Sequence, residues 1–134
     1  MRAQQPSRKR LTFLAYFHRS GYMDSDEAVT ALSALGQSTR LQVFQSLLKY
    51  APEGLSAGEL VRLLSVPQNT LSAHFNVLAQ AGLVKSERQS RSIIYRVRIE
   101  RFEELLIFLL RDCCNGGSDV RRDMMASITR KLRL

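Results

Sequence analysis

Residues Leu55–Leu78 have the sequence LSAGELVRLLSVPQNTLSAHFNVL, and this stretch predicts two short helices joined by a tight turn. Ser56 followed by Glu59 is the pattern of a capping box, in which a hydroxyl and a carboxylate each accept a hydrogen bond from a free backbone N–H at a helix start. Val66-Pro67 separates the helices, because a residue before proline avoids the α conformation and proline suits the start of a new helix. The first helix has apolar positions at i, i+3 and i+4: Leu60, Leu63 and Leu64.

The second helix is expected to begin at about Pro67 and to bury one apolar stripe: Leu71, Phe75 and Leu78. Its opposite face carries short, almost uncharged side chains: Gln68, Asn69, Thr70, Ser72, Ala73 and Asn76. In a helix-turn-helix the first turns of the second helix enter the major groove, where Asn and Gln pair with adenine and small residues meet the thymine methyl group. This face is therefore a candidate for reading DNA bases. The alternative is a polar, solvated helix of a helical bundle.

Length and charge favour a single domain that binds a polyanion. The 134 residues fit one domain, and no apolar run approaches the ~20 residues of a membrane helix, which predicts a soluble protein without a membrane partner. The net charge is +8. Between Leu60 and Arg98, six basic residues accompany one acidic residue, Glu87. This basic patch coincides with the predicted helix-turn-helix and the segment that follows it.

Two basic segments flank the expected domain, residues 23–117. Residues 1–22 are rich in arginine and contain no acidic side chain. Their apolar run, Leu11–Phe17, is at the short limit for a signal peptide and has no convincing cleavage site. We interpret the segment as a basic arm that contacts DNA phosphates or as an extension ahead of a start at Met23. Residues 118–134 are expected to form either a final helix or a disordered basic tail.

The segment before residue 55 predicts two further helices. Acidic residues complement the helix dipole at the start of the first one: Asp24, Asp26 and Glu27. This helix is expected to end at about Leu35, before Gly36, and Ser38 is the expected N-cap of a second helix over residues 39–50. The expected core side chains of the second helix are Leu41, Phe44, Leu47 and Leu48. Arg40 opposes the dipole there, so we expect it to form a specific ion pair or a phosphate contact.

After the helix-turn-helix the hydrophobic period changes to two, which predicts a β-hairpin over residues 83–88 and 93–99. Its tip, Arg88-Gln89-Ser90-Arg91, is a candidate wing whose arginines contact the DNA backbone or the minor groove. A solvated loop is the alternative. His74 lies about 60° from the centre of the apolar stripe of its helix, which favours packing beneath the wing or contact with a phosphate. The candidate DNA-binding residues are Gln68, Asn69, Thr70, Ser72, Ala73, His74, Arg88 and Arg91.

A long amphipathic helix is predicted from Arg101. Its apolar stripe has helical spacing: Phe102, Leu105, Leu106, Leu109, Leu110 and Cys113. Ile107 and Phe108 add apolar surface outside the stripe, which is more than one small domain is expected to bury. We therefore predict a homodimer that uses this helix and the first helix as its interface. Such a dimer presents two recognition helices to a pseudo-palindromic operator, with half-sites about 10 base pairs apart or a multiple of that.

This order of elements resembles the ArsR/SmtB (arsenic repressor) family of winged-helix regulators. The resemblance rests on ALSALGQSTRLQVFQSLL, on TLSAHFNVLAQAGLV and on the wing from Arg88 to Tyr95, and it covers roughly residues 24–117. It implies a mainly α, winged helix-turn-helix fold with a small β-hairpin. It also implies a homodimeric, cytoplasmic, bacterial repressor that leaves double-stranded DNA when an inducer binds. Ser90 stands where the family usually has glycine, which makes the tightness of the wing turn an open point.

The resemblance implies one candidate for the inducer site. Family members with a metal site on the first helix of the motif have cysteines there, and members with zinc on the last helix have Asp and His ligands; this sequence matches neither. It has Cys113 and Cys114 at a place that resembles the site of arsenic-responsive members. Thiolates favour thiophilic centres such as trivalent arsenic. Those members commonly have a third cysteine, so a methylated trivalent arsenical, with two exchangeable positions, suits this pair better than arsenite.

Two other interpretations of the cysteine pair stay open. Both side chains suit small apolar positions of a dimer interface. A redox switch is the other option, although adjacent Cα atoms lie about 3.8 Å apart, closer than a normal disulfide prefers. No obligatory cofactor is expected. The sequence has no Gly-rich phosphate loop and no His/carboxylate constellation, so we expect no enzyme; a winged helix that docks a protein is the alternative to DNA binding.

Overall fold

The structure, a computed structural model, describes residues 23–112 and 118–133. The predicted arm, residues 1–22, and the pair Cys113 and Cys114 lie outside the described residues. The elements, in chain order, are α1 (Ser25–Leu35), α2 (Ser38–Lys49), β1 (Leu55–Ser56), α3 (Ala57–Leu64), α4 (Gln68–Gln80), β2 (Val84–Gln89), β3 (Ser92–Val97), α5 (Ile99–Ile107), a π-helix (Phe108–Asp112) and α6 (Ser118–Leu132). They confirm the predicted winged helix-turn-helix, mainly α with a small hairpin.

The chain divides into two compact units, one of residues 25–102 and a second that contains the described residues from 103 onward. In the first unit, the fully buried large side chains come from α2, α3, α4 and the segment before β2: Val43, Phe44, Leu47, Leu60, Leu71, Leu78 and Leu83. The ring of Phe102 packs edge-to-face on Phe44 with the centroids 5.0 Å apart. The buried side chains of α1 are alanines, which lets neighbouring helices approach it closely.

A three-stranded antiparallel sheet of order β1-β3-β2 forms the wing. The hairpin of β2 and β3 is the predicted one, with Val84 opposite Val97. Strand β1 is not predicted by the sequence pattern, and it pairs with Tyr95 and Ile94 of β3. Gly54 permits this pairing because its φ is +81° and a Cβ atom there would overlap the carbonyl of Tyr95. The start of the helix-turn-helix is therefore joined to the wing.

The turn of the wing consists of Ser90 and Arg91, between the end of β2 and the start of β3. Ser90 has a φ of +58°, in the left-handed region. A glycine adopts this conformation at no steric cost, whereas serine adopts it with some strain. The turn is nevertheless tight with serine at this position.

The first two helices follow the prediction, but the N-cap of α2 does not. Helix α1 ends at Leu35, as expected. Helix α2 has Gln37 as its N-cap instead of Ser38, because the Gln37 side chain accepts a hydrogen bond from the backbone N–H of Arg40 at 2.8 Å. The longer amide side chain performs the role that was expected of a hydroxyl, and Ser38 becomes the first helical residue.

Leu41, which was expected in the core, and Leu63, which belongs to the predicted apolar face of α3, are both exposed. The buried face of α2 consists of Val43, Phe44 and Leu47. Leu41 lies about 110° around the helix from the centre of this face, so it points to solvent. Leu63 of α3 is 53% exposed and borders Tyr50 and Arg62 in a surface cleft. Only Leu60 of that helix is fully buried.

The prediction of one continuous α-helix from Arg101 is wrong. Helix α5 already begins at Ile99 and ends at Ile107, and the following five residues form a π-helix. A π-helix has i→i+5 hydrogen bonds, so Leu109 and Leu110 do not continue the α-helical stripe. Residues 118–132 form α6, the last helix of the described residues. In the described part of the chain, no helix has the length and apolar character that crossing a membrane requires.

Candidate nucleic-acid interface

Helix α4 is anchored to the protein by one face. Leu71 and Leu78 are fully buried, as the sequence predicts. The ring of Phe75 stacks on the ring of Tyr95 in β3, with a centroid distance of 3.8 Å and an interplanar angle of 14°. This contact connects α4 to the base of the wing, so the two candidate DNA-binding elements are held in one arrangement.

The opposite face of α4 lies on the surface at the positions that the sequence predicts. Gln68, Asn69, Thr70 and Ala73 are exposed, and Ser72 is half-buried. These side chains offer amide, hydroxyl and methyl groups without charge, and such groups match the edges of bases in the major groove. The geometry needed for base reading is therefore available, and the contact with DNA itself stays a prediction.

The N-terminus of α4 is electrostatically suited to an anion. Pro67 occupies the N-cap position, no side chain forms a capping hydrogen bond, and the first turn contains no acidic residue. The first N–H groups of a helix have no partner within the helix and carry its positive dipole end. A phosphate group is a suitable partner for them.

His74 is half-buried, and its hydrogen-bonding partner lies on α2. Its Nδ1 atom is 3.5 Å from Nη1 of Arg40. The sequence favours a place beneath the wing or a contact with a phosphate. The structure instead pairs the ring with Arg40, and the phosphate contact stays a prediction.

Arg40 caps the end of α1 from the neighbouring helix. Its Nε atom donates to the carbonyl of Ala34 at 2.6 Å, and Nη2 lies 3.5 Å from the carbonyl of Ser33. A cation at a helix C-terminus is favoured by the helix dipole. Among the ion pairs of the described residues none involves Arg40, whose partners on α1 are carbonyl groups and not a carboxylate. The alternative, a phosphate contact, stays a prediction. The signal in the sequence is an arginine at the unfavourable end of its own helix.

The wing places two arginines at its tip. Arg88 and Arg91 are exposed, and neither forms an ion pair with a described residue. Glu87, the acidic residue of the basic patch, is paired with Arg96, whose Nε also donates to the carbonyl of Glu53 at 3.1 Å. The sequence did not predict this pairing. It neutralises Glu87, so the tip presents positive charge to its surroundings.

Several known proteins are similar to this chain in sequence or in fold. A family profile described as a helix-turn-helix domain matches residues 35–87. The HTH-type transcriptional repressor SmtB of Mycobacterium tuberculosis is 35% identical over 72 residues, 54% of this chain and 51% of that protein. The transcriptional activator HlyU of Vibrio cholerae is 31% identical over 94 residues, 70% of this chain and 84% of that protein. The chain belongs to the ArsR/SmtB family.

A solved structure agrees with this assignment. The ArsR-like transcriptional regulator from Rhodococcus sp. RHA1 superimposes with a TM-score of 0.60 at 27% identity, over 78% of this chain and 92% of that one. The protein is therefore a DNA-binding transcriptional regulator of the ArsR/SmtB family, with a winged helix-turn-helix.

A cleft is present in the second unit of this ArsR/SmtB regulator. The cleft has a volume of about 540 Å³ and lies between the π-helix and α6. Its apolar residues are Ile107, Leu110 and Met125, and its basic residues are Arg111, Arg121 and Arg122. The predicted ligands Cys113 and Cys114 lie outside the described residues. Among the residues that are described, no group of three His, Cys, Asp or Glu side chains is placed to hold a metal ion.

Proposed function

We propose that this ArsR/SmtB regulator is a homodimeric, sequence-specific repressor of a pseudo-palindromic operator, and that trivalent arsenic bound by Cys113 and Cys114 releases it from DNA. The observation that carries the proposal is an exposed, uncharged face of α4 beside a wing with Arg88 and Arg91 at its tip; the exposed residues of this face are Gln68, Asn69, Thr70 and Ala73. A cytoplasmic location without a membrane partner is part of the proposal. Repression is also part of the proposal, because the names of the relatives do not decide the direction of regulation: one is an activator and another is a repressor.

The two parts of the interface have different proposed roles. Side chains of α4 read bases, because amide and hydroxyl groups form directional hydrogen bonds with base edges. Arg88 and Arg91 hold the duplex, because phosphate contacts supply affinity and register without sequence information. The stacked pair of Phe75 and Tyr95 keeps these parts in one arrangement.

Exposed apolar side chains support a dimer through α1 and α5. Val29 and Leu32 of α1 are exposed, as are Leu106 and Ile107 of α5. Large exposed apolar side chains on a helix are candidates for such an interface. A second copy of the chain covers both helices and presents one α4 helix to each half-site of the operator.

The proposed inducer is a trivalent arsenical with one organic substituent. Each thiol of Cys113 and Cys114 replaces one hydroxyl group of the arsenical and releases one water molecule, which forms two As–S bonds and leaves the As–C bond intact. Arg111 of the cleft precedes Cys113 by two positions in the sequence, so we propose that the apolar cleft residues Ile107, Leu110 and Met125 favour an organic substituent over a third hydroxyl. Cysteines that are only structural, or that respond to oxidants, are the competing explanations.

DNA binding is tested by a salt series on the purified protein and its Arg91→Ala variant. We expect the logarithm of the binding constant to fall linearly with the logarithm of salt concentration, with a slope of about −0.9 for each phosphate neutralised. Arg91→Ala should weaken binding to every duplex alike and reduce this slope by about one for each half-site. A protein-docking winged helix instead shows no duplex binding in dilute buffer, and this result would refute the proposal.

The inducer is tested by release of bound DNA during titration with arsenite, methyl- and phenylarsenous acid, zinc and peroxide. We expect release by the organoarsenicals at lower concentration than by arsenite, and no release from Cys113→Ser or Cys114→Ser. Leu110→Ala should weaken the response to phenylarsenous acid more than the response to arsenite. Release by peroxide alone indicates a redox sensor. Release by none of these compounds indicates structural cysteines.

A further inference from the structure

We infer that Arg40 is a positioning residue for DNA recognition, which connects the end of α1 to α4 and determines which nitrogen of His74 carries the proton. The inference rests on the proposed DNA-binding function and extends it by linking the proposed dimer helix to the proposed base-reading helix. Three contacts of one guanidinium group carry it. We refer to these contacts, with Ser33, Ala34 and His74, as the Arg40 bridge.

One end of the Arg40 bridge is the C-terminus of α1. This helix has no basic residue in its own last turn, so Arg40 of the next helix supplies the positive charge that the dipole favours there. The contact of Nε with Ala34, at 2.6 Å, is the shortest of the three. Because a guanidinium group is planar, its N–H directions are fixed relative to one another. The contacts with α1 therefore also set the direction of Nη1.

The other end of the Arg40 bridge is the imidazole of His74. Nη1 of Arg40 lies 3.5 Å from Nδ1, which is a long hydrogen bond. Arginine offers donors and no acceptor, so Nδ1 must accept, and a neutral ring then carries its proton on Nε2. Nε2–H is on the edge of the ring that faces away from Arg40. The residue is half-buried next to the exposed Ala73, and the inference assigns this N–H as a donor to a phosphate oxygen.

The Arg40 bridge makes the donor on α4 depend on α1. If α1 moves relative to α2, its carbonyl groups leave Arg40 and Nη1 loses its direction. The ring of His74 then rotates or changes tautomer, and α4 no longer presents Nε2–H. Arg40 is thus expected to influence DNA affinity through His74 and not through a DNA contact of its own.

The first test is the tautomer of His74, measured by nitrogen NMR of the imidazole ring without DNA. The chain has two histidines, so the signal is identified by its loss in His74→Gln. We expect the Nε2–H tautomer in the wild type and a mixture in Arg40→Met, which keeps the apolar stem of the side chain. Lys49→Met, which removes another cation of α2, should leave the tautomer unchanged. An Nδ1–H tautomer in the wild type overturns the inference independently of any DNA measurement.

The second test compares two amide side chains at position 74. The amide nitrogen of glutamine reaches the position of Nε2, whereas that of asparagine reaches only the position of Nδ1. We expect His74→Gln to bind the operator within about threefold of the wild type and His74→Asn to lose about tenfold for each half-site. The salt slope should not change, since a neutral donor releases no counterion. A reduced slope in His74→Asn means that the ring acts as a cation, and it overturns the inference.

The third test is a double-mutant cycle of Arg40→Met and His74→Ala on operator affinity. If Arg40 acts through His74, each variant weakens binding about tenfold for each half-site and the double variant is no weaker than either. Independent, additive losses overturn the inference.

Thermal unfolding shows whether Arg40→Met is folded. If it is not, Arg40→Lys replaces it, because lysine keeps the charge at the end of α1 but lacks the planar fork. A wild type that binds no duplex refutes the proposed function instead, and the NMR test still decides on the Arg40 bridge.

Discussion

The two helices of the helix-turn-helix, α3 and α4, begin in opposite ways. At the start of α3, the hydroxyl of Ser56 accepts a hydrogen bond from the backbone N–H of Glu59 at 3.1 Å, and the carboxylate of Glu59 accepts one from the N–H of Ser56 at 2.7 Å. At the start of α4, Pro67 offers no side-chain cap and the first turn contains no acid. Side chains at the start of α3 therefore accept hydrogen bonds from two backbone N–H groups, whereas no side chain caps the start of α4.

This difference separates a structural helix from a ligand-binding one. A capped and negatively charged helix start is stable and repels a phosphate. An uncapped start loses that stabilisation and keeps N–H groups and positive dipole charge for an external anion. Only three residues, Ser65, Val66 and Pro67, separate the end of α3 from the start of α4. The contrast leads to predictions in which stability and DNA affinity change independently.

The largest effect is expected from a negative charge in the first turn of α4, like the one that Glu59 provides in the first turn of α3. Thr70→Glu places a carboxylate in the first turn of α4, at the surface that the proposal assigns to bound DNA. We expect operator affinity to fall by about 3 kcal/mol or more, because like charges brought together in an interface cost several kcal/mol. The free energy of unfolding should rise by about 0.3–1 kcal/mol, because the carboxylate complements the helix dipole. Fluorescence titration and urea unfolding measure the two quantities.

Gln45→Glu is the matched control for this charge change. Gln45 is exposed on α2, so the substitution alters the net charge equally without placing a carboxylate at the start of α4. It should change operator affinity only slightly. Equal losses in the two variants mean that total charge, and not the open start of α4, decides DNA binding.

A smaller effect is expected from Asn69→Ala, which removes one amide group from the exposed face of α4. Loss of a bidentate contact relaxes discrimination at one base pair by about 1–3 kcal/mol. A set of operators with single base changes locates that position. If Asn69→Ala weakens every operator to the same extent, the residue contacts the backbone and the assignment of base reading to α4 is wrong.

The opposite change removes the cap at the start of α3. Ser56→Ala removes the capping hydroxyl, and the free energy of unfolding should fall by about 1 kcal/mol. Operator affinity below the unfolding transition should stay the same, since Ser56 has no proposed DNA contact. Ser33→Ala, at an exposed position inside α1, is the control and should have little effect on stability. A loss of DNA affinity in Ser56→Ala, with folding intact, contradicts the structural role of α3.

The capping box also shows why parts of this fold are predictable from the sequence. Ser56 and Glu59 interact over three residues, and the buried stripe of α4 repeats every three to four residues, so both signals are local. Strand β1 consists of two residues that pair with Tyr95 and Ile94, about forty positions later. So short a strand has no periodicity of its own. The sequence therefore predicts the helix that starts at this point but not the strand that precedes it.

The candidate site shows the same difference between features with a local signal in the sequence and features that depend on long-range packing. Exposure of Asn69 and Thr70 follows from the burial of the opposite face of α4, and the sequence predicts it correctly. The sequence marks Arg40 as unusual, but its contacts with Ala34 and His74 depend on how α1 and α4 pack, and no local spacing contains that information. The sequence also does not predict the π-helix over residues 108–112, because the apolar spacing there continues a regular α-helical pattern.

The smallest expected effect is the pH dependence of the α3 cap. Hydrogen bonds from the backbone N–H and the side chain of Ser56 hold the pKa of Glu59 below its ordinary value of 4.5. An acid whose pKa is lower in the folded state stabilises the fold fully above its unfolded pKa and loses this contribution as pH falls through the folded pKa. We therefore expect the difference in unfolding free energy between the wild type and Glu59→Ala to be constant at neutral pH. This difference should shrink only below the ordinary pKa of 4.5.

Urea unfolding at a series of pH values measures the difference in unfolding free energy. Added salt should reduce this difference, since the carboxylate is exposed. A difference that is the same at every pH means that Glu59 caps α3 without its charge, and the start of α3 then differs from that of α4 in hydrogen bonding alone.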